Sequence, residues 1–305
     1  MKLLLVVNPV SGGIDKTPFV HEAEALCRKY GIELYAFKTD GINDEKELQG
    51  MMQEIDPDKV AVAGGDGTVL VAGLLCRRYH TPMGIIPLGS ANGMASEMGV
   101  AEQPLEALKD LLLSSMVKGL DMLVINEKHS MIHIGDVGIN ARIIEQSKKE
   151  EARGMTTYIK HFIREIGQPE AFDMEIEVDG KREDFRGVMV AFCNARKYGT
   201  EMPITATGNP MDGVFEIAVI EEITMSALFQ ATLTRWAGFP FEDPEGHRII
   251  KAQEALIRFK KPRLLQVDGE IAGTHHELQI KVVPNAIPLI TNANNPYLKP
   301  LKTSQ

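Results

Sequence analysis

The sequence contains little cysteine, and its cysteines are far apart. Cys27, Cys76 and Cys193 are the three that it has. Because their number is odd and their spacing is wide, they indicate no disulfide framework of the kind that supports small secreted domains. This cysteine usage predicts a protein of a reducing compartment.

Long apolar runs and excess positive charge are also missing. No stretch reaches the roughly 20 apolar residues that a membrane-spanning helix needs. Residues 1–7 are followed by Asn8-Pro9 without a small-residue cleavage site, so we interpret them as a buried strand and not as a signal peptide. The net charge of −9 disfavours a general nucleic-acid binder, which needs a basic face. We therefore expect a cytoplasmic protein without a nucleic-acid partner.

Strand and helix patterns alternate over the first 120 residues. Apolar runs predict strands at 2–7, 32–37, 60–63 and 83–87, and helical patterns cover 18–30, 44–52, 69–78, 94–98 and 104–114. Such alternation is typical of a parallel sheet with helices on both faces. We expect an α/β N-terminal domain with a Rossmann-like parallel sheet.

Three glycine-containing turns follow predicted strands of this domain, at 8–13, 64–68 and 88–93. Ligands of parallel sheets bind at the carboxyl ends of the strands, so the three turns are expected to converge on one site. A glycine turn that leads into a helix presents free N–H groups, which attract phosphate. Taken alone, residues 64–68 are explained equally well as a plain β-turn. Asp66, an acid within a turn suited to anions, needs its own explanation.

The pattern changes after about residue 119. Short strands are predicted at 120–125, 130–134, 173–178, 187–192, 215–220, 255–259, 264–267 and 278–283, several with alternating polar and apolar residues. Asp-Gly pairs at 179–180, 212–213 and 268–269 are typical of hairpin turns. We expect a β-rich antiparallel sandwich with helical insertions at 141–166 and 225–236.

Four motifs resemble the diacylglycerol kinase catalytic-domain family, which includes bacterial lipid kinases and sphingosine kinases. They are NPVSG at 8–12, GGDGT at 64–68, PLGSAN at 87–92 and VDGE at 267–270. Their order and approximate spacing match the family over nearly the whole chain. The resemblance implies a two-domain lipid-kinase architecture, with a nucleotide-binding domain at 1–120, a β-rich lipid-substrate domain at 121–289 and a cleft between them. We expect the segment at about 290–305 to pack back on the first domain.

The resemblance also implies the ligands and the residues that bind them. ATP and Mg²⁺ would be the cofactors and a lipid the acceptor, with transient contact at a membrane surface; a homodimer is left open. The nucleotide-binding residues would be Asn8, Ser11, Gly12, Thr39, Gly64, Gly65, Gly67, Thr68, Gly89, Ser90 and Asn92. For Asn92, a cap that holds its own turn is an open alternative.

Asp66 and Glu270 are the catalytic candidates that the resemblance implies. Asp66 would either hold the nucleotide's Mg²⁺ through water or accept the proton of the lipid hydroxyl. Glu270 follows the Asp268-Gly269 turn and is the rival base. We favour Glu270 as the base and Asp66 as the residue that organises metal or phosphate.

Two departures from the family pattern affect these expectations. Bacterial lipid kinases of the family usually carry an acid at the position of Gly93, and its absence leaves open an acceptor other than diacylglycerol. Asp212 matches a turn that binds a structural Mg²⁺ in some members, but Asn209 stands where a companion acid is usual and supplies less charge.

Two other functions remain open. An NAD kinase would need an Asn-Glu pair for the nicotinamide ribose at the turn that begins at Leu88. Residues 88–94 contain no such pair, and Asn126-Glu127 comes too late in the chain. A nucleotide-binding regulator without catalysis would usually have lost the acids, and this chain has both Asp66 and Glu270.

Overall fold

The computed structural model describes residues 1–149, 170–198, 202–224, 241–244 and 246–298. The chain divides into unit 1, which contains Met1–Asp121 and the chain from Pro284 onwards, and unit 2, which contains Met122–Val283. The strands in the sheet of unit 1 are β1 (Lys2–Val7), β2 (Glu33–Lys38), β3 (Lys59–Gly64), β4 (Met83–Pro87) and the end of β14 (Glu270–Ile290). The first four are parallel and lie in the order β4-β3-β1-β2. The end of β14 joins them where Leu289 pairs in parallel with Met83 of β4.

Helices cover this sheet because their apolar residues recur on one side. The helices are α1 (Thr17–Lys29), α2 (Asp44–Ile55), α3 (Asp66–Tyr79), α4 (Gly93–Glu97) and α5 (Pro104–Leu113), with a 3-10 turn at Ser11–Gly13. Phe19, Val20 and Ala23 of α1 pack with Leu108 and Leu111 of α5 against the apolar strands. The helix α3 contacts β3, and α2 contacts α3.

Unit 2 is an antiparallel, β-rich unit. Its elements are β5 (Val117–Ile125), which begins in unit 1, β6 (His129–Met131), β7 (Ile134–Gly138), α6 (Ile139–Lys149), β8 (Phe172–Val178), β9 (Lys181–Gly187), β10 (Met189–Cys193), β11 (Phe215–Ile220), β12 (His247–Ala252), β13 (Glu254–Val267) and β14. The strands lie in the order β12-β11-β10-β7-β13-β14, and β8 pairs with both β13 and β9. Buried side chains such as Phe192, Phe215 and Ile257 form the core of the unit.

The expected fold class, an α/β unit followed by an antiparallel β-rich unit, is confirmed. Several strand predictions were wrong in detail. The segment 130–134 is split between β6 and β7, 187–192 is split between β9 and β10, and β12 was not predicted. The two strands predicted at 255–259 and 264–267 are one strand, β13, with a register shift between Arg258 and Arg263.

The structure describes only part of the two helical insertions that the sequence predicts. The helix α6 covers the start of the first one, whereas residues 150–169 and 225–236 lie outside the described residues. Within the described part of the chain, no helix is both long enough and apolar enough to cross a bilayer.

Candidate functional site

The loops after β1, β3 and β4 contact one another in unit 1. The Ser11 hydroxyl donates to the carbonyl oxygen of Leu88 at 2.9 Å, which links the first loop to the third. The Asn8 amide nitrogen donates to the Thr68 hydroxyl at 3.1 Å, which links the first loop to the second. The predicted convergence of the three glycine turns at the carboxyl edge of the sheet is thus seen in the structure.

Glycine is required where these loops cross. At Gly12, where φ is +63°, a Cβ atom would lie 3.1 Å from the backbone of Leu88 and Gly89. At Gly89, a Cβ atom would lie 2.4 Å from the Cα of Gly65. These distances are shorter than van der Waals contact, so a side chain at Gly89 would push the second and third loops apart.

Asp66 joins the second loop to the third. Its two carboxylate oxygens accept the backbone N–H groups of Gly93 and Met94, each at 3.0 Å, at the start of α4. Asp66 is also the first residue of α3, with Gly65 as the N-cap. The segment 64–68 is therefore a strand end and a helix start, and the plain β-turn alternative was wrong. The roles of Asp66 as metal ligand or base stay predictions.

Asn92 holds its own loop. Its side-chain oxygen accepts the N–H of Gly89 at 2.7 Å, and its side-chain nitrogen donates to the Gly89 carbonyl at 3.0 Å. Asn92 itself has a positive φ of 52° at the N-cap of α4. Of the two roles considered for Asn92, these contacts support the structural one, and a contact with nucleotide stays a prediction.

Asn8 organises the first loop in a similar way. Its side-chain oxygen accepts the N–H groups of Val10 and Ser11 at 3.1 and 3.2 Å.

Lys16, which the sequence analysis did not identify, is buried beneath the same loop. Its ammonium group donates to the carbonyl oxygens of Ser11 at 2.5 Å and Ile14 at 2.9 Å. Burial lowers the pKa of Lys16.

A cavity of about 300 Å³ opens beside the loops of unit 1. It is lined by Val6, Asn8, Ser11, Phe37, Thr39, Asp44, Leu48, Gly65, Gly67, Thr68, Val71 and Ala72. Six of the predicted nucleotide-binding residues are in this lining. The other five belong to the same loops but do not line the cavity: Gly12, Gly64, Gly89, Ser90 and Asn92.

Asp44 is a cavity residue that the sequence analysis missed. It begins α2, and its carboxylate accepts the N–H groups of Asp40 and Gly41 at 2.9 and 3.0 Å. The pattern of Thr39, a glycine and then an acid at a helix start could have indicated it, because acids are common in the first turn of a helix. The apolar wall that Phe37 and Val71 form depends on packing and has no local signal.

In unit 2, Asp268 and Gly269 make a tight hairpin turn between β13 and β14. Both have positive φ, 47° and 85°, as a type I′ turn requires, and Val267 pairs with Glu270. The Asp268 carboxylate accepts the N–H groups of Ile132, His133 and Ile134 at 2.9, 3.0 and 3.1 Å. Glu270 comes next in the chain and is exposed.

Asp66 lies in unit 1 and Glu270 in unit 2. Their joint action on one substrate therefore stays a prediction.

The segment around Asp212 holds itself together by local contacts. The Asp212 carboxylate accepts the N–H of Val214 at 3.2 Å, and the Asn209 side chain accepts the N–H of Met211 at 3.1 Å. Among the described residues, His, Cys, Asp and Glu form no group of three or more that could hold a metal ion. The structural Mg²⁺ site at Asp212 stays a prediction.

Glu216, four residues further on, is fully buried. Burial raises the pKa of its carboxyl to about 7, while the nearby Lys251 ammonium, 3.5 Å away, acts in the opposite direction. The sequence analysis did not identify this group, because a glutamate in a strand carries no local sign of burial.

Asn126 and Glu127 form the turn between β5 and β6, and both have positive φ. The Asn126 side chain accepts the N–H of Gln279 at 2.7 Å and donates to the Glu277 carbonyl at 3.2 Å. Asn126 therefore has a structural role in unit 2.

Unit 1 is thus an α/β unit in which three glycine-containing loops meet beside a cavity, at the carboxyl edge of a parallel sheet. Residues 2–125 match the model of the diacylglycerol kinase catalytic domain, and residues 134–291 match that of the YegS C-terminal NAD kinase beta sandwich-like domain. The chain therefore belongs to the family of proteins in which a diacylglycerol kinase catalytic domain is followed by this C-terminal domain.

Two relatives illustrate the similarity. A Staphylococcus aureus (strain Newman) protein named "Putative lipid kinase" is 25% identical over 272 residues, which are 88% of each chain. A crystal structure of a diacylglycerol kinase from Bacillus anthracis has a TM-score of 0.72 at 21% identity, and the match covers 96% of this chain and 97% of that one. The structural match supports the fold.

Proposed function

We propose that the protein transfers the γ-phosphate of ATP to a hydroxyl group of a lipid, of the diacylglycerol or sphingoid type. The observation that carries this proposal is the convergence of three glycine loops beside one cavity in unit 1. Family membership supports the reaction class, and the lipid-kinase names of relatives support the acceptor class. A lipid acceptor would bring the enzyme into transient contact with a membrane surface.

The residues of unit 1 fit a nucleoside triphosphate. The first N–H groups of α3, including those of Gly67 and Thr68, have no acceptor within the helix and face the edge where phosphate would bind. The cavity volume is at the lower end of the roughly 300–1,000 Å³ that is usual for small-ligand sites. Its apolar residues Phe37 and Val71 would contact the base, and Asn8, Ser11 and Thr68 would contact phosphate or ribose.

Asp66 fits a role near Mg²⁺ through water. Each of its carboxylate oxygens accepts one backbone N–H, and a carboxylate has about four lone-pair positions, so acceptor capacity remains for a metal-bound water. When bound, Mg²⁺ would neutralise the charge that develops on the phosphates. The protein's own part is to keep the three loops together so that the phosphates bind in one orientation.

Glu270 would act as the general base in this proposal. The acceptor hydroxyl must lose its proton as the new P–O bond forms, and an exposed carboxylate next to a fixed turn can accept it. The proton then lies on Glu270, and ADP leaves with the bond between the β–γ bridging oxygen and the γ-phosphorus broken.

The test is a phosphorylation assay with labelled ATP, Mg²⁺ and separate acceptors: diacylglycerol, sphingosine, a lipid extract and NAD. We expect a phosphorylated lipid, identified by mass, and no phosphorylation of NAD. Glu270→Gln should lower kcat by roughly 10²- to 10⁴-fold, as is usual when a general base is lost. Glu183→Gln, at an exposed position of β9, is the matched control and should keep the wild-type rate.

Two results would contradict the proposal. Phosphorylation of NAD alone would favour an NAD kinase. ATP binding without turnover of any acceptor would favour a nucleotide-binding regulator.

A further inference from the structure

Gln266 is a buried glutamine that connects the hairpin of Glu270 to the interior of unit 2. It lies on β13, two residues before the turn, and its side chain is 1% exposed. Its side-chain oxygen accepts the N–H of Gly269 at 2.8 Å. Its side-chain nitrogen donates to a carboxylate oxygen of Asp136 at 2.5 Å. One side chain thus ties a turn residue to a buried acid.

Asp136 is fixed in turn by further donors. It lies on β7, opposite Gln266 in the strand register, and it is fully buried. The same carboxylate oxygen accepts the Asn140 amide and the Tyr198 hydroxyl, each at 2.6 Å. All three donors are neutral groups. A buried acceptor with several donors holds its position tightly, because each broken bond would leave a polar group without solvent.

The other turn residue is held separately. The Asp268 carboxylate accepts three consecutive backbone N–H groups, those of residues 132–134. Both turn residues are therefore fixed to β7 and the chain that leads into it, and Glu270 follows them directly.

The turn does not need this network in order to form. Asp179 and Gly180 make the same kind of turn between β8 and β9, with φ of 52° and 73°, and they do so at exposed positions. Asp-Gly turns of this type are stable through their own backbone preferences. The contacts of Gln266 and Asp136 are therefore not needed to form the turn, and their effect is to fix the position of the hairpin relative to β7.

We propose that Gln266 and Asp136 are positioning residues for Glu270. Through the N–H of Gly269 they hold the backbone next to Glu270 in one place, so that its carboxylate meets the acceptor hydroxyl in a constant geometry. This inference rests on the proposed function, in which Glu270 is the general base. Misplacing a reacting group by about 1 Å can cost roughly 10²-fold in rate, so the loss of this hold should be measurable.

The experiment compares Gln266→Leu with Gln279→Leu in the full chain. Gln279 is an exposed glutamine of β14 whose side chain donates to Glu254, so its replacement makes the same chemical change outside the network. For Gln266→Leu we expect kcat to fall by about 10- to 100-fold, with KM for ATP within about twofold of wild type. Hydrogen exchange of the peptide that contains Gly269 should rise by about tenfold. Gln279→Leu should change none of these.

The double variant Gln266→Leu with Glu270→Gln separates positioning from general loss of structure. If Gln266 acts through Glu270, the added effect of Gln266→Leu in the Glu270→Gln background should be under about threefold. Full multiplication of the two effects would overturn the inference. So would an unchanged kcat in Gln266→Leu while Glu270→Gln is inactive. A wild-type rate in Glu270→Gln would instead overturn the proposed base, and this inference with it.

If Gln266→Leu does not fold, Gln266→Glu gives a second test. The new carboxyl would face Asp136, and two such groups share one proton at acidic pH and repel each other when both are ionised. Relative to wild type at the same pH, we expect a near-normal kcat at low pH and an additional loss of rate as the pH rises. A pH profile identical to that of wild type would overturn the inference.

Discussion

At the scale of single residues, Asp66 is the acid whose place in a glycine turn suited to anions needed an explanation. Its carboxylate is hydrogen-bonded to the first two N–H groups of α4, which is reason enough for an acid at this position. The same two bonds connect the loop after β3 to the loop after β4. Asp66 therefore shapes the candidate site whatever it contributes to the reaction.

We predict that Asp66→Ala weakens both the fold and nucleotide binding. Two charge-assisted hydrogen bonds would be lost, so the free energy of unfolding should fall by about 1–3 kcal/mol. The Kd for ATP should rise at least about tenfold, because the third loop would lose its hydrogen bonds to the second loop. Urea unfolding and calorimetric titration with ATP measure the two effects.

Asp58→Ala is the control for Asp66. Asp58 is exposed and accepts one backbone N–H, that of Lys2, at 2.7 Å. This variant should lose less than about 1 kcal/mol and keep its affinity for ATP. Unchanged ATP affinity in Asp66→Ala would show that ATP binding does not need the connection between the loops after β3 and β4.

Glu216 is a residue whose titration is expected to change the stability of the fold. The pKa of its carboxyl is about 7 in the folded protein against an ordinary 4.5, chiefly because of burial. The folded state thus holds this proton more tightly than the unfolded state does. Stability is unaffected below about pH 4.5, falls as the pH rises from there towards 7, and stays at the lower level above it.

We predict that Glu216→Gln removes this loss of stability at higher pH. Glutamine keeps an acceptor for the Thr207 hydroxyl, and Lys251, which is about half exposed, can be solvated by water. Relative to wild type, the variant should gain about 1–3 kcal/mol more at pH 8 than at pH 4.5, since one pKa unit corresponds to about 1.4 kcal/mol. Urea unfolding at both pH values checks this. An equal difference at the two pH values would contradict it.

At the scale of elements, the loops of unit 1 depend on glycines that the strands bring together. We predict that Gly89→Ala disrupts the site, because its Cβ would lie 2.4 Å from the Gly65 Cα and 2.8 Å from the Gly65 nitrogen. Backbone atoms cannot move aside as a flexible side chain can, so stability should fall by about 1–3 kcal/mol, as is usual for overpacking. ATP binding should be lost, as calorimetry would show.

Gly50→Ala is the matched control for this variant. Gly50 lies on the exposed side of α2, and nothing lies within 4 Å of a Cβ placed there. Alanine favours a helix more than glycine does, so this variant should gain about 0.5–1 kcal/mol and bind ATP normally. A Gly89→Ala variant that behaves like Gly50→Ala would refute the close contact of the loops.

Elements with a strong local signal could be predicted from the sequence. The bounds of β1 and β4 were correct because each is a short apolar run that ends in turn residues. The helix α3 was predicted to start at residue 69, but it starts at Asp66. Glycine is a poor helix former, so the glycine in the first turn gave no sign of a helix there. The strand β9, with Lys181–Asp184 exposed and charged, has no apolar alternation to indicate it.

The candidate site divides in the same way. Glycine turns were visible in the sequence, because backbone conformation selects the residue type directly. The contacts of Lys16, Asp44 and Gln266 were not, because each depends on which segments the fold brings together. Asp136 and Glu216 could not be located either, since burial of an acid is decided by tertiary packing.

At the scale of the whole molecule, unit 1 is completed by the chain after Pro284. Leu289 pairs with β4, and the Asn285 N–H donates to the Asp121 carboxylate at 2.7 Å. Asn295 is fully buried, and its amide donates to the Thr291 hydroxyl at 3.0 Å. The Tyr297 hydroxyl donates to the buried Glu97 carboxylate. The unit is thus made of two segments that are far apart in the sequence.

This arrangement predicts that unit 1 can be separated from unit 2 only if both segments are kept. Because Asp121 and Asn285 are in contact, a Gly-Ser linker of about four residues can join residue 121 to residue 284. The joined protein should unfold cooperatively in urea and bind ATP with a Kd within about fivefold of the full chain, since the three loops and the cavity belong to unit 1. It should transfer no phosphate, because Glu270 is absent.

The fragment 1–121 alone is the comparison. It lacks the strand end beside β4 and the buried side chains of Ile287, Leu289 and Asn295. Loss of several buried apolar groups at about 2–5 kcal/mol each exceeds the usual stability of a domain of this size, so we expect no cooperative unfolding transition. If this fragment folds and its affinity for ATP equals that of the joined protein, the C-terminal segment does not contribute to the stability of unit 1. If the joined protein folds but fails to bind ATP, nucleotide binding requires residues of unit 2.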